Sequence, residues 1–249
     1  MKLLQSYLDS DRSSAALRDL FEGYSTVNRL QRLYEIFPPE EVLVTSSFGT
    51  NAAYLLHLIS RINPNQKIHF IDTGFHFKET LEYKERLIRW LNLNVVEIHP
   101  EADDHSYANS NRLWESDPDH CCHLNKTKPL AKIKNNFKVW ISGLIKSQSE
   151  FRSSLRLFED NQEVIKFHPL FDLEYSEIEK YVNYFKIPPH PMVGKGYESI
   201  GCTHCTAKGK GRNGRWNGKS KTECGLHINY FDEKVKKNLR TQALKVNEG

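Results

Sequence analysis

The chain has 249 residues, 39% hydrophobic and 11% aromatic, enough apolar material for one generous α/β domain or a domain with a working tail, which excludes global disorder. Lys and Arg (35) nearly balance Asp and Glu (31), so the net charge of +4 gives no argument for a nucleic-acid partner. No apolar run reaches the roughly 18–20 residues of a membrane span, and the N-terminus lacks the basic head and long apolar stretch of a secretory signal. A cytoplasmic protein with no membrane partner is expected, and in a reducing compartment its five cysteines point to metal binding or catalysis rather than disulfides.

In chain order, Leu17, Leu20, Phe21, Leu30, Leu33 and Tyr34 recur at helical spacing and predict helix within 13–37, stopped by Pro38-Pro39. Strands are predicted at 42–45, 67–71, 94–98, 138–142 and 163–167, and helices at 51–61, 78–90 and 175–185. Short apolar strands alternating with amphipathic helices predict an α/β fold, a mostly parallel sheet flanked by helices, with ligands beyond the C-terminal strand ends. After Pro188-Pro189 the character changes: Gly, Lys, Arg and Cys dominate, and helical character returns only after 228. We therefore divide the chain into a scaffold, 1–190, and a C-terminal extension, 191–249. Gly209, Gly211, Gly214 and Gly218 suggest a mobile tail there.

Two strand ends carry loops suited to a nucleotide. After the first strand, Ser46, Ser47, Phe48 and Gly49 lead into a helix, so hydroxyls and backbone N–H groups gather where an anion can bind, although a ligand-free serine cap has the same pattern. After the next strand come Asp72, Thr73 and Gly74, suited to a ribose or adenine, or simply a capped turn. Neither loop is a G-x-x-x-x-G-K-[ST] or G-x-G-x-x-G motif.

The cysteines give the strongest spacing signal. Cys121-Cys122 and Cys202-Thr203-His204-Cys205 supply four thiolates, which suit tetrahedral zinc or an iron–sulfur cluster. Adjacent cysteines converge poorly on one ion, and a cluster spreads its ligand positions over several irons, so the tandem pair favours [4Fe–4S]. The fifth, Cys224, stands apart in Glu223-Cys224-Gly225-Leu226-His227. A nucleophilic thiol must ionise, and a free cysteine, with a pKa of about 8.5, is mostly protonated at neutral pH. The cations Lys126, Arg212 and Arg215, with His227, would favour the thiolate.

Taken together these residues resemble the adenylyl-sulfate and phosphoadenylyl-sulfate reductases of the PP-loop nucleotide α-hydrolase superfamily, over roughly 42–227. The resemblance implies a PP-loop fold with a C-terminal catalytic tail. In it, 46–49 hold the phosphosulfate of adenosine 5′-phosphosulfate (APS), and 72–74 help hold the adenosine. The four paired cysteines hold one [4Fe–4S] cluster per chain, and Lys126, four residues after Cys122, lies near cluster and substrate. ECGLH, ending at His227, implies catalytic roles for Cys224 and His227. The stretch 143–152 matches a substrate-binding segment through Gln148, Ser149 and Arg152, although Ile145 and Lys146 stand where the family has two Arg. Arg212 and Arg215 match its R-x-G-R-W element, and bidentate guanidinium suits phosphate and sulfate oxygens.

The implied activity is reduction of APS to sulfite and AMP through an S-sulfocysteine on Cys224, with thioredoxin or glutaredoxin as electron donor. A homo-oligomer is left open. Three alternatives are weighed. The first is a reductase of the 3′-phosphorylated substrate PAPS, or of both substrates. An ATP-using adenylyltransferase of the same superfamily is the second, although it has no use for ECGLH. The third is a zinc-stabilised RNA-binding module that uses the cations of 208–221.

Overall fold

A computed structural model describes residues 14–161, 164–216, 218–219 and 221–227. The helical character expected after 228 lies outside the described residues.

The described residues begin with two helices where one helical region is predicted. α1 (Ser14–Leu20) and α2 (Thr26–Ile36) are separated by a turn in which Gly23 adopts φ +75°, and Ser25 caps α2 by accepting from the Asn28 N–H. The sheet strands follow: β1 (Val42–Thr45), β2 (Lys67–Ile71), β3 (Asn94–Ile98), β4 (Val139–Ile141), β5 (Phe158–Asn161) and β6 (Val164–Phe167). Their order is β3-β2-β1-β4-β6-β5. Every pairing is parallel except β5–β6, an antiparallel pair with Phe158 opposite Phe167.

Helix α3 (Ala52–Ile62) connects β1 to β2, and α4 (Lys78–Leu91) connects β2 to β3. The sheet grows from β1 toward β3 on one side and toward β4 on the other. The C-terminal ends of β1 and β4 therefore flank a switch point, where open α/β sheets leave a crevice.

One face of the sheet packs Phe21, Leu30, Leu33, Phe70, Tyr83 and Phe167 into the main core with α1, α2, α3 and α10 (Tyr175–Tyr184). The other face is smaller, with Leu43, Ile71, Trp140 and Val164 covered by Leu130 and, from the tail, Leu226.

Four helices not expected from the sequence lie between β3 and β4: α5 (Ala102–Ser110), α6 (Leu113–Ser116), α7 (Pro118–Cys122) and α8 (Lys128–Lys134). A further short helix, α9 (Glu150–Ser153), precedes β5, itself unpredicted. After α10 the described chain has only single 3₁₀ turns, at Val193–Lys195 and Thr203–Cys205, and isolated bridges.

Candidate active site

The two loops are shaped by their own short side chains. In 46–49, Ser46 Oγ accepts from the Phe48 N–H at 3.1 Å, and Phe48 takes φ +49°, rare for a bulky residue. The buried Phe48 ring meets Phe70 edge-on at 5.7 Å and holds the bend, while the Ser47 side chain faces outward. Thr50 Oγ1 donates to the Glu198 carbonyl at 2.8 Å, tying this loop to the segment before the second cysteine pair.

In 72–74, Asp72 Oδ1 accepts from the Gly74 N–H at 2.9 Å. Gly74 has φ +70°, and a Cβ there would lie 2.7 Å from His105 Cε1, so only glycine fits. Thr73 is fully buried, with its hydroxyl 3.4 Å from Cys202 Sγ. The next carbonyl, of Phe75, accepts from the Thr203 N–H at 2.7 Å. The second loop thus carries the Cys202–Cys205 turn directly.

Cys121 and Cys122 end α7, where the helix widens into a π turn, His123–Thr127. The cause is local: Lys128 N–H bonds to the His123 carbonyl, and Pro129 has no N–H to continue the ordinary ladder. Cys121 and Cys202 share a small apolar core with Phe75, Leu113 and Leu124, against which Cys205 packs. Asn125 Nδ2 donates to the Cys121 carbonyl at 3.0 Å and lies 3.9 Å from Cys121 Sγ, while His105 Nδ1 bonds to Asn125 Oδ1 at 2.8 Å.

Burial, followed by the neighbouring Cys202 and Cys205, pushes the Cys121 thiol up to about 11, and burial with Cys202 raises Cys205 as well. Burial thus holds Cys121 and Cys205 as neutral thiols unless a cation lies beside them. Among the described residues, the one group of three potential metal-ligating atoms mutually within 4.8 Å is the largely exposed Asp72, Glu97 and His99, not the cysteines. A single zinc with Zn–S of about 2.3 Å would draw its sulfurs to about 3.8 Å. No three cysteine sulfurs among the described residues lie mutually within 4.8 Å, a spacing looser than one zinc requires.

The tail returns to this pocket by a tight hairpin. Ala207 N–H bonds to the Gly214 carbonyl at 2.7 Å, and a Cβ on Gly214 would lie 2.1 Å from the Ala207 carbonyl oxygen. Gly209 also abuts Gly214, so these two glycines, taken from the sequence as signs of mobility, serve close approach. The hairpin brings Arg215 back to donate from Nε to the Cys205 carbonyl at 3.3 Å.

Trp216, the last residue of the R-x-G-R-W element, is buried at φ +50° and forms a platform that the motif alone does not reveal. Arg215 lies 4.4 Å from its ring centroid, Arg212 5.5 Å and Lys221 5.8 Å. Lys221 is in turn held by Asp119 Oδ1 at 2.7 Å, and Lys219 bonds to the Trp114 carbonyl. Arg212, Arg215 and Lys221 are therefore drawn toward Trp216 and the cysteine pocket, whereas Lys208 and Lys210 are exposed.

Cys224 Sγ lies 3.7 Å from Cys122 Sγ. Its thiol is held well below the ordinary range, chiefly by contact with Cys122 and also by Lys126 and Lys221, against the opposing effect of burial. Lys126 sits among Cys202, Cys224, Cys122 and Arg215; burial opposes its charge, but the sulfurs raise its pKa well above normal. His227 stacks toward Trp140 at 6.4 Å, and its buried Nδ1 has no hydrogen-bond partner among the described residues. Burial and the nearby Lys166 and Arg152 hold its pKa well below the usual value, so His227 is neutral here and adds no cation beside Cys224.

Arg152 is placed differently from the substrate-facing position expected. Its Nε and Nη2 bond to Glu223 Oε2 and Oε1 at 2.6 and 2.8 Å, and its Nη1 bonds to Gln148. Arg212 Nη2 also reaches Glu223 Oε1, at 2.7 Å. Lys126, Arg215, Cys224 and the paired cysteines gather at one place. The loop 46–49 adjoins it through Gly49, packed near the Ile200 carbonyl, and Gly201, packed under the Arg215 guanidinium.

This arrangement defines an α/β protein with two nucleotide-type loops, a sulfur-rich centre and a separate activated thiol at one edge of a mostly parallel sheet. The phosphoadenosine phosphosulfate reductase domain model matches residues 41–208. An adenosine 5′-phosphosulfate reductase of Bacillus cereus (strain Q1) is 37% identical over 231 residues, covering 89% of this chain and 94% of its own. One from Bacillus thuringiensis (strain Al Hakam) is 40% identical over 231 residues, with the same coverage. A crystal structure of phosphoadenylyl-sulfate reductase from Candida auris, in a phosphate complex, superposes with a TM-score of 0.67 at 24% identity, over 78% of this chain and 96% of that one, and shows the shared fold. The chain belongs to the phosphoadenosine phosphosulfate reductase family.

Proposed function

We propose that this oxidoreductase converts APS to sulfite and AMP, with Cys224 as nucleophile. The observation that carries the reading is the position of Cys224: an activated thiol beside Lys126, within a ring of cations that adjoins the loop 46–49. The loop 46–49 would take the phosphosulfate, 72–74 the adenosine, and Lys126, Arg212 and Arg215 the sulfonyl and phosphate oxygens as charge shifts toward the leaving AMP. We infer the division of labour accordingly, with 1–190 as nucleotide-holding scaffold and 191–249 as catalytic extension.

The thiolate of Cys224 attacks sulfur; an S–S bond forms, the bond from sulfur to the bridging phosphate oxygen breaks, and AMP leaves with the electron pair. An external dithiol, thioredoxin or glutaredoxin, then attacks Cys224 Sγ. Sulfite departs, and the mixed disulfide resolves to free Cys224 and an oxidised donor. The two electrons come from that dithiol. Cys121, Cys122, Cys202 and Cys205 would hold one [4Fe–4S] cluster, a reading supported by the four-thiol donor set. Bound there, it would supply a fixed structural and electrostatic element that orders Lys126. The proposed setting is the cytoplasm and assimilation of sulfate; no helix of the described residues is long and apolar enough to cross a membrane.

The test is the mass of the chain after APS treatment without reductant. A sulfonate on Cys224, absent from Cys224→Ser although that variant still binds AMP, is the expected result. Full turnover by Cys224→Ser would overturn the mechanism, and a clear kinetic preference for PAPS would overturn the substrate assignment.

A further inference from the structure

Glu223 precedes the proposed nucleophile, yet its carboxylate touches nothing that reacts. It is fully buried at 0% exposure and faces the 5%-exposed Arg152 from an element 71 residues earlier in the chain. All its bonds are charge-assisted or local: the Arg152 fork at 2.6 and 2.8 Å, Arg212 Nη2 at 2.7 Å, and the Cys224 N–H at 2.9 Å. Of these, the bond to the Cys224 amide fixes the backbone of the reactive residue.

We propose that Glu223 is a positioning residue: a carboxylate latch, closed on Arg152 and Arg212, that docks the tail and sets how often Cys224 is presented to an external reagent. The inference rests on the reading of Cys224 as nucleophile. Three observations support it. First, the buried carboxylate takes two bonds from the Arg152 fork and one from Arg212, so opening it strips three charge-assisted bonds together. Second, the described tail has few other anchors on the scaffold. For 218–227 these are Leu226 on the Trp140 face, His227 beside Trp140, the Lys166 Nζ bond to the Leu226 carbonyl at 3.3 Å, the Cys224 sulfur 3.7 Å from Cys122 Sγ, and Lys219 and Lys221 on the segment 114–119. Third, the reaction has two partners for one sulfur. In the arrangement described, that sulfur lies 3.7 Å from Cys122 Sγ and its amide is held by Glu223, so a protein-sized dithiol gains access only as these contacts open. Arg152 then acts through Glu223 and does not contact the substrate.

The latch can be tested without turnover, by following alkylation of Cys224 with iodoacetamide in the full-length, metal-loaded chain and assigning the modified cysteine by peptide mass. Rates are taken across pH, and the high-pH plateau, where the thiol is fully ionised, is compared. Glu223→Gln and Arg152→Gln change the local charge in opposite directions, so a purely electrostatic role shifts the midpoints of the two pH profiles oppositely and leaves the plateaus alone. The latch instead raises both plateaus, by about tenfold or more, because Glu223→Gln strips Arg152 and Arg212 of their carboxylate, and Arg152→Gln removes the two-bond fork and leaves Glu223 on Arg212 alone. The double variant should exceed the single ones by much less than the product of their effects, and Glu223→Asp should restore part of the protection. Plateaus within twofold of wild type in both single variants, with unchanged melting temperatures, would overturn the latch. This outcome is separable from failure of the nucleophile assignment, which the sulfonate mass reports.

Discussion

Gly201→Ala tests the placement of Arg215 without deleting it. A Cβ on Gly201 would lie 2.2 Å from Arg215 Nη2 and 2.7 Å from Cζ, so the guanidinium must retreat by more than an ångström. The atoms that move are the far end of a flexible side chain, and Gly201 has no left-handed φ, so the fold should absorb the change for no more than about 1 kcal/mol. That corresponds to a melting shift of about 2–4 °C in a chain of this size. The site should not absorb it. A charge-assisted bond from arginine to an oxyanion is worth about 1.5–3 kcal/mol, which at 1.36 kcal/mol per decade is about a 10- to 150-fold loss in kcat/KM. Sulfite release from APS with excess reductant measures that loss, beside thermal melts and iron content. Arg215→Ala should lose a similar factor, and the double variant little more, since both changes remove one interaction. If Gly201→Ala keeps kcat/KM within twofold of wild type, Arg215 does not serve the substrate from this position.

Two further predictions address the metal and the response to acid. Cys121→Ala and Cys205→Ala should lose or destabilise the centre, read as iron and acid-labile sulfide falling from about four per chain, whereas Cys224→Ser should retain both; stoichiometric zinc without iron in wild type would refute the cluster. His190 is buried, accepts from the Met192 N–H at Nδ1 and shares a bond with Thr80 through Nε2, and burial lowers its pKa from 6.5 to about 4. The unfolded chain therefore binds a proton that the folded chain refuses, so this histidine's contribution is present above pH 6.5 and is lost as pH falls toward 4. At 1.36 kcal/mol per unit that is at most about 3 kcal/mol. Denaturant titrations at pH 7 and pH 4.5 should show His190→Asn less sensitive to acid than wild type, and an equal loss in both would refute the assignment.

The sheet was legible because its strands are short apolar runs, and five of the six were anticipated within a residue or two. β5 escaped because Phe158-Glu159-Asp160-Asn161 carries one apolar side chain and reads as a turn. It becomes a strand because Phe158 stacks on Phe167 at 4.7 Å and because Ser14 and Arg18 of α1 bond to Asp160 and the Phe158 carbonyl. α5 escaped for a related reason: Ala102–Ser110 has no apolar stripe, and its one buried residue, Ala108, is small. Helices α6 to α8 are too short for periodicity, and the π turn at Lys126 depends on a proline whose missing N–H leaves no trace in a hydrophobic pattern.

The candidate site divides along the same line. Reactive residue types at fixed spacing, the cysteines above all, announce themselves, but the partners that hold them do not, because a partner is defined by a contact across many residues of chain. Arg152 shows the difference. Its place in a resemblance suggested a substrate contact, yet nothing local says which anion its fork will meet, and the buried carboxylate it meets is supplied by the tail. One signal was present in the sequence. The run 208–221 gathers six cations without an acid, and Glu223 is the first acid after it. Two guanidiniums drawn into a low-dielectric pocket need a counter-charge. The nearest acid in the chain that can follow them inward is the one beside Cys224, and it is this carboxylate that meets Arg152 and Arg212.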